Sequence, residues 1–278
     1  MATTKDKAEA LRRLHGGPRI LVLVNAWDAA SARVVEAAGF PAVASSSAGV
    51  AYALGYADGQ RIARDEMLDM VRRMARAVQV PVTADVESGY GATVEAAAET
   101  ARAVIAAGAV GMNLEDAKDS EEGGALVPAE VHVARIRAAR AAAAQLGVPI
   151  VINGRTDAFA ARNVAGSDRL AEAVRRANAY LAAGADCAFV PFVSNRDAIA
   201  QLAREVRGPL NVLGTPSSPP VRELERMGVR RVSVGSGPAR AAYGRLRRVA
   251  LDLEEKGTYE SMAEGAIPYV EMQKLFGA

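Results

Sequence analysis

Residues 80–91 read VPVTADVESGYG, in which Pro81 precedes a short apolar run that ends in Asp85 and Glu87, before a glycine turn. Such a run is typical of a strand that is buried on both faces of a parallel sheet. Residues two apart on a strand face the same way, so we expect the two carboxylates to project together from the strand end. The same order recurs along the chain: a proline or glycine, then a buried strand, then polar residues at the end of the strand.

Eight short apolar runs follow either a proline or a glycine, and the two kinds of preceding residue interleave along the sequence. Alanine-rich stretches with apolar residues at helical spacing lie between the runs, for example at 94–107 and 170–183. The glycines stand where the end of a helix needs a left-handed residue. Strands that alternate with helices predict right-handed crossovers and an all-parallel sheet. The punctuating residues are, in order, Pro18, Gly39, Pro81, Gly108, Pro149, Gly184, Pro209 and Gly228.

These eight units predict an α/β protein with a single (β/α)8 TIM-barrel domain over residues 1–278, a fold for which about 250 residues is typical. The alternative is an open doubly wound sheet. Such a sheet normally carries G-x-G-x-x-G after its first strand, and VNAWDAAS at 24–31 lacks that pattern. Residues 257–278 are expected to add a C-terminal helix whose apolar side chains need a partner surface, such as a second subunit.

The composition argues against several classes of protein. The net charge is +2, and the 34 basic residues are interspersed with 32 acidic ones, so no nucleic-acid or membrane role is indicated. The single cysteine excludes an internal disulfide and a cysteine-based zinc site. No apolar run approaches the roughly 18 residues of a membrane span, and no signal-peptide pattern is present. We therefore expect a soluble cytoplasmic protein.

In a barrel of this kind the active site is built at the carboxyl ends of the strands. Neighbouring third and fourth strands should bring Asp85, Glu87 and Glu115 within reach of one another. The strand ends carry Asn25, Trp27 and Asp28, then Ser45, Ser46, Ser47 and Asp58, then Asp85 and Glu87, then Asn113, Glu115 and Asp116, then Asn153, Arg155 and Asp157, then Asn211, and finally Ser233 and Ser236.

Carboxylates this close need compensation, because two unit charges about 4 Å apart repel by roughly 4 kcal/mol at an effective dielectric constant of about 20. A shared proton, the Arg155 guanidinium or a divalent cation would each supply it. An all-oxygen set of ligands favours Mg²⁺ or Mn²⁺ over zinc. The plainer alternative is that acids pair with arginines or cap helices, and we prefer it for Asp116 and Asp157.

Five segments together resemble the isocitrate lyase and phosphoenolpyruvate mutase superfamily: NAWDAASARVVEAAGF, SSSAGVAYALGYADG, ADVESGYG, GAVGMNLED and INGRTDA. The similarity covers nearly the whole chain and includes VSVGSGPARAAYGRL. The resemblance implies a TIM barrel whose terminal helix is swapped between the subunits of a homodimer or homotetramer. It also implies a Mg²⁺ site and small 2-oxo or 2-hydroxy carboxylate substrates that react through an enolpyruvate-like intermediate.

By position, the resemblance makes Asp85 the direct metal ligand and gives Asp58, Glu87 and Glu115 the role of holding metal-bound waters. It places Trp27 and the serines 45–47 around the substrate carboxylate, partly through backbone N–H groups, and it brings Arg155 to the substrate. Arg155, Glu115 and Asp58 are the predicted catalytic residues. The predicted substrate-binding set is Trp27, Ser45, Ser46, Ser47, Asp85, Asn113, Arg155 and Asn211.

The chain departs from the family pattern in two places. Isocitrate and methylisocitrate lyases carry K-[KR]-C-G-H after the fourth strand, whereas residues 117–128 here read AKDSEEGGALVP, without cysteine or histidine. Those two activities are therefore disfavoured, and the absence of the mutase's asparagine weakens P–C chemistry too. Phe192 stands where the lyases place a glutamate. The remaining proton carriers in the loop are Lys118, Asp119, Glu121 and Glu122, and the sequence does not choose among them.

The leading hypothesis is a Mg²⁺-dependent enzyme that cleaves a C–C bond, as a lyase or decarboxylase, in a small 2-oxo or 2-hydroxy acid. One alternative is mutase-type or phosphonopyruvate hydrolase-type chemistry on a P–C bond, including carboxyphosphonoenolpyruvate. Another is a non-catalytic relative that binds an oxo-acid. A further class is a phosphate-binding barrel, suggested by VGSGPAR at 234–240.

Overall fold

The computed structural model describes residues 2–118 and 124–277. Its strands form one all-parallel sheet, in the order β1-β9-β8-β7-β6-β5-β4-β3-β2. The strands are β1 (Leu21–Leu23), β2 (Asn25–Ala26), β3 (Val43–Ser45), β4 (Val82–Asp85), β5 (Gly111–Glu115), β6 (Val151–Arg155), β7 (Cys187–Val190), β8 (Leu210–Leu213) and β9 (Arg231–Ser233).

The barrel closes at its first strand. β1 pairs with β9 and β2 pairs with β3, while Val24 alone separates β1 from β2. The two segments therefore form one interrupted strand, and the eight predicted strands are confirmed. The open doubly wound alternative is wrong, because an open sheet would leave both of its edges unpaired.

Helices surround the barrel, as the alternation of apolar runs with alanine-rich stretches predicts. The glycines expected to end helices have left-handed backbones, with φ of 90° at Gly108 and 108° at Gly184. A one-turn 3₁₀ helix, Gly166–Asp168, precedes α7. The α-helices are α1 (Thr4–His15), α2 (Ala29–Ala37), α3 (Ser47–Ala53), α4 (Arg64–Ala77), α5 (Val94–Ala106), α6 (Ala129–Gln145), α7 (Arg169–Ala182), α8 (Arg196–Glu205), α9 (Val221–Met227), α10 (Gly237–Lys256), α11 (Glu260–Ala263) and α12 (Tyr269–Leu275).

A buried ion pair joins Asp116, the residue after β5, to Arg176 on α7. Arg176 Nη1 lies 3.0 Å from Asp116 Oδ2, and the Tyr180 hydroxyl donates to the same oxygen at 2.5 Å. The backbone N–H of Asp157 donates to the other oxygen. The expected pairing of Asp116 with an arginine is therefore confirmed, and this acid is turned away from the strand-end cavity.

The C-terminal segment differs in detail from its prediction. α10 ends at Lys256 and is followed by Gly257, whose φ is 63°, and the remainder forms two short helices, α11 and α12, instead of one. Tyr259 is 72% exposed and Tyr269 is 78% exposed. A covering partner for this segment therefore remains a prediction. Among the described helices, none is both long and apolar enough to cross a membrane.

Candidate active site

A polar cavity of about 310 Å³ opens at the carboxyl ends of the strands. Its position follows from the all-parallel barrel, which directs every strand end to the same rim. Eight of the residues that the sequence assigned to the site line it: Ser46, Ser47, Asp58, Asp85, Glu87, Asn113, Glu115 and Arg155.

Asp85, the last residue of β4, is held in one orientation by the neighbouring strand and helix. Its backbone N–H donates to Ser45 Oγ at 2.7 Å. The Ser47 backbone N–H and hydroxyl both donate to Asp85 Oδ2, at 3.2 and 3.0 Å. Asp85 Oδ1 is buried and has no hydrogen-bond partner among the described residues. One carboxylate oxygen is thus anchored, and the other is the one left to bind a ligand.

Glu87 reaches the cavity by a route that strand alternation does not predict. β4 ends at Asp85, and Glu87 lies in the following turn with a left-handed φ of 51°. This conformation is uncommon for a residue other than glycine, and strain of this kind concentrates at functional sites. Glu87 Oε2 is buried without a hydrogen-bond partner in the described part of the chain.

The pKa of Glu87 is raised from 4.5 to about 9. Burial is the largest cause, followed by the negative charges of Glu115, Asp85 and Asp58, and a backbone hydrogen bond from Gln60 acts in the opposite direction. The acids therefore form an undercompensated cluster, in which one carboxyl group holds a proton unless a cation is present.

Arg155, at the end of β6, is fixed by two acids. Its Nε and Nη2 donate to Asp157 at 2.6 and 2.8 Å, and its Nη1 lies 2.7 Å from Glu115 Oε2. Burial lowers the pKa of Arg155, but the charges of Asp157 and Glu115 outweigh burial and hold this pKa well above its usual value. Each terminal nitrogen keeps a second N–H beyond these contacts. The expected pairing of Asp157 with an arginine is confirmed.

Three predicted substrate-binding residues lie outside the described lining of the cavity. Ser45 turns its hydroxyl to the Asp85 N–H. Asn211 is fully buried and donates to Ser233 Oγ at 3.2 Å. The Trp27 ring instead packs toward α10, with its centroid 6.4 Å from that of Tyr243.

The backbone N–H groups assigned to the substrate carboxylate are already in use. The Ser46 N–H donates to the Ala26 carbonyl, and the Ser47 N–H donates to Asp85. The Gly235 N–H, which a phosphate site after the last strand would need, donates to Asn25 Oδ1 at 2.9 Å. These donors are engaged within the protein, whereas the Arg155 guanidinium and the Asn113 amide also line the cavity and carry N–H donors.

Several residues of the cavity wall were not predicted from the sequence. Tyr52 and Arg240 lie on helices. The expectation that the site is built at the carboxyl ends of the strands therefore does not identify them. The apolar residues Phe189 and Leu213 resemble ordinary buried strand residues in sequence, and on this side of the cavity the sequence singled out Phe192 alone. Of the candidate proton carriers, Lys118 is exposed, while Asp119, Glu121 and Glu122 lie outside the described residues.

The donor set fits a water-rich magnesium site better than a site made of protein ligands alone. Within the described residues, no three His, Cys, Asp or Glu side chains are grouped to hold a metal ion directly. Mg²⁺ commonly uses one or two carboxylates and keeps several waters. The unpartnered Asp85 Oδ1 and Glu87 Oε2 are oxygens of the kind that bind Mg²⁺ directly or accept hydrogen bonds from its water ligands.

Comparison with known proteins identifies the family. The family model for phosphoenolpyruvate phosphomutase matches residues 11–254. The chain belongs to the isocitrate lyase/phosphoenolpyruvate mutase superfamily. This superfamily contains carbon–carbon lyases and phosphoenolpyruvate mutases, and its members are generally Mg²⁺-dependent.

Individual relatives of this superfamily member differ in activity. Oxaloacetate decarboxylase of Bradyrhizobium sp. (strain BTAi1 / ATCC BAA-1182) is 32% identical over 246 residues, which are 86% of this chain and 82% of the relative. 2-Methylisocitrate lyase of Bacillus subtilis (strain 168) is 28% identical, over 92% of this chain and 85% of the lyase. The structure of oxaloacetate acetylhydrolase with its product oxalate superposes with a TM-score of 0.87 at 26% identity, over 98% and 94% of the two chains.

Proposed function

We propose that this protein is a Mg²⁺-dependent enzyme that cleaves a carbon–carbon bond in a small 2-oxo or 2-hydroxy carboxylate. It would act as a lyase or decarboxylase through an enolpyruvate-like intermediate. The observation that carries the proposal is the pair of unpartnered carboxylate oxygens, Asp85 Oδ1 and Glu87 Oε2, in the same cavity as the fixed Arg155 guanidinium. This pairing offers a place for a cation beside a donor for a carboxylate.

The chain's own residues would bind and orient the substrate. Arg155 can donate its two remaining terminal N–H groups to one substrate carboxylate, because Asp157 and Glu115 already occupy the others. Asn113 lines the same cavity, and its Oδ1 accepts from Asn153 Nδ2 at 2.7 Å. That contact leaves the Asn113 NH₂ group as the end that can donate to the substrate.

Asp85 would bind the metal directly, and Asp58, Glu87 and Glu115 would hold its water ligands. When bound, Mg²⁺ supplies Lewis-acid stabilisation of the negative charge that develops on oxygen as the bond breaks. The Ser47 contacts keep Asp85 Oδ1 directed into the cavity, so the ligand geometry is set before substrate arrives. Such preorganisation avoids the cost of reorienting the carboxylate during the reaction.

The proposal also covers the assembly. The resemblance to the superfamily implies a homodimer or homotetramer in which the segment at 257–278 is swapped between subunits. The exposed apolar side chains of this segment, including Tyr269 and Val270, support a covering partner. Here we propose only that the partner is a second copy of this chain.

A direct test is turnover of three substrates with Mg²⁺ and with EDTA: oxaloacetate, 2-methylmalate and phosphonopyruvate. Mg²⁺-dependent release of pyruvate from oxaloacetate or from 2-methylmalate supports the proposal. Turnover of phosphonopyruvate alone would favour the mutase-type or hydrolase-type alternative, which the name of the matching family model supports.

Matched variants make this test specific. Asp85→Asn should abolish turnover, while Asp69→Asn, the same change at an exposed acid on α4, should leave it unchanged. Binding of oxalate without turnover of any acid, lost in Asp85→Ala, would instead identify a non-catalytic oxo-acid-binding protein.

A further inference from the structure

The cavity has two chemically different sides. The acids come from the loop after α3, from the end of β4 with the turn that follows it, and from β5, whereas Phe189, Phe192 and Leu213 come from the ends of β7 and β8. In the strand order of the closed barrel, β8 lies across from β4, so the apolar residues face the acids over the cavity. A substrate held between these two sides meets them with different parts of its structure.

The apolar side is a wall of side chains that pack beside Arg155. Phe189 and Phe192 each place their ring centroid 5.7 Å from the Arg155 guanidinium carbon. Phe192 adopts a left-handed φ of 62°, a conformation that is rare for a bulky residue and persists only where the surroundings enforce it. The rings therefore flank the cation that would bind the carboxylate, and they lie beside the next carbons of any acid held there.

The wall continues beyond the cavity. Phe192 and Leu213 also line an adjoining cavity of about 250 Å³, whose other lining residues are Val193 and the polar residues Ser194, Thr215 and Ser217. A substituent that passes between Phe192 and Leu213 would thus have room of its own. Burying an apolar group against Phe192 and Leu213 is favourable, whereas burying a charged group without a partner is costly.

The charges that line the cavity also favour an apolar substituent over a charged one. Asp58, Asp85, Glu87 and Glu115 line it, against two cations among the described lining residues, Arg155 and Arg240. Arg155 is already paired with Asp157 and Glu115, and Arg240 is exposed on α10. Among the described lining residues, a second substrate carboxylate on the β7–β8 side would have only the exposed Arg240 side chain to pair with.

Resting on the proposed function, we infer that this site is specific for acids with an alkyl substituent on the carbon next to the 2-oxo or 2-hydroxy carbon. The substituent lies against the apolar wall formed by Phe189, Phe192 and Leu213. Unbranched acids and acids with a charged distal group are the poorer ligands.

The test is binding of three non-cleaved acids to the Mg²⁺-loaded full-length protein, by calorimetry. The ligands are pyruvate, 3-methyl-2-oxobutanoate, which adds two methyl groups beside the oxo carbon, and 2-oxoglutarate, which adds a distal carboxylate. We expect 3-methyl-2-oxobutanoate to bind on the order of 10-fold tighter than pyruvate, the scale of hydrophobic pocket discrimination. Equal binding of these two acids, or tightest binding of 2-oxoglutarate, overturns the inference.

Variants locate the preference in the wall. Leu213→Asn should reduce it to about 2-fold or less, while Leu146→Asn, the same change at an exposed position after α6, should retain it. Phe192→Asn provides a second probe, because asparagine accepts the left-handed backbone. Retention of the full preference in both wall variants contradicts the assignment.

The outcome separates this inference from the proposed function. Selective binding of 3-methyl-2-oxobutanoate without turnover of any acid would support the wall and reject the enzyme. Mg²⁺-dependent turnover with equal binding of pyruvate and 3-methyl-2-oxobutanoate would support the enzyme and reject the specificity of the wall. Failure of all three acids to bind overturns the inference, whereas the proposed function is decided by turnover.

Discussion

Ser47 donates two hydrogen bonds to the same oxygen of Asp85, one from its backbone N–H at 3.2 Å and one from its hydroxyl at 3.0 Å. This contact joins the start of α3 to the end of β4. It assigns different roles to the two carboxylate oxygens, because Oδ2 is engaged and Oδ1 has no partner among the described residues. Ser47 is therefore a positioning residue for the proposed metal ligand.

Ser47→Ala should weaken Mg²⁺ binding about 10-fold, the lower end of the range measured when a group that orients a metal ligand is removed. The backbone N–H still holds Asp85, so the loss should be partial. Calorimetric titration with Mg²⁺ measures it. Ser31→Ala, which removes a hydroxyl that bonds Asp28 at the start of α2, should leave the affinity unchanged. Equal loss in both variants would show a general structural effect.

Asp157→Asn should raise the KM for the carboxylate substrate more than it lowers kcat. The reason is that Asp157 fixes the Arg155 guanidinium through two hydrogen bonds, at 2.6 and 2.8 Å. We expect an increase in KM of about 10-fold, the equivalent of about 1.4 kcal/mol of binding. Steady-state kinetics over a range of substrate concentrations separates the two constants. A fall in kcat at unchanged KM would contradict a role in substrate binding.

The pH dependence of stability should include a contribution from His132. Burial is the largest cause that lowers its pKa from 6.5 to about 3 in the folded protein, and its Nε2 lies 3.2 Å from the Leu114 carbonyl. The unfolded chain therefore binds more protons than the folded chain between these values. The stabilising contribution is fully present above 6.5 and is lost as the pH falls through this window.

His132→Gln tests this contribution. Between about pH 7 and about pH 5.5, the free energy of unfolding of the variant should fall by roughly 1 kcal/mol less than that of the unchanged protein. Urea unfolding at the two pH values measures the difference. His15, whose pKa is lowered to about 4 mainly by burial, titrates in the same direction in both proteins and so serves as an internal reference. Parallel pH profiles would contradict the assignment.

The C-terminal segment should form a subunit interface. Tyr269→Glu, at a side chain that is 78% exposed in the single chain, is expected to shift the protein from a dimer or tetramer toward smaller species. Leu146→Glu, at a 48% exposed position elsewhere, is the control. Sedimentation velocity measures both. A monomer in the unchanged protein would contradict the assembly.

The fold was largely predictable because its signals are local. Pro81 and Gly108 each precede a short apolar run, and both runs are strands of the barrel. The placement of Asp85 and Glu115 followed from the rule that parallel strands end at one rim. Each of these predictions needs only a few neighbouring residues and the geometry of the barrel.

The remaining features depend on contacts between distant segments. Strand alternation predicted that Glu87 faces the same way as Asp85, but the backbone of Glu87 is left-handed and lies outside the strand. The Asn25 side chain takes up the Gly235 N–H, a pairing across the closure of the barrel that sequence spacing does not reveal. Arg240 enters the cavity from a helix, and the packing of α10 decides this position.

The central claim is a magnesium site in which Asp85 is the direct ligand and Glu87 acts through water. It is tested most directly by calorimetric Mg²⁺ titration of the unchanged protein, Asp85→Asn and Glu87→Gln. We predict that Asp85→Asn abolishes measurable binding, whereas Glu87→Gln weakens it about 10-fold, as expected for a residue that contacts metal-bound water. Equal weakening in the two variants, or unchanged binding in Asp85→Asn, would contradict the claim.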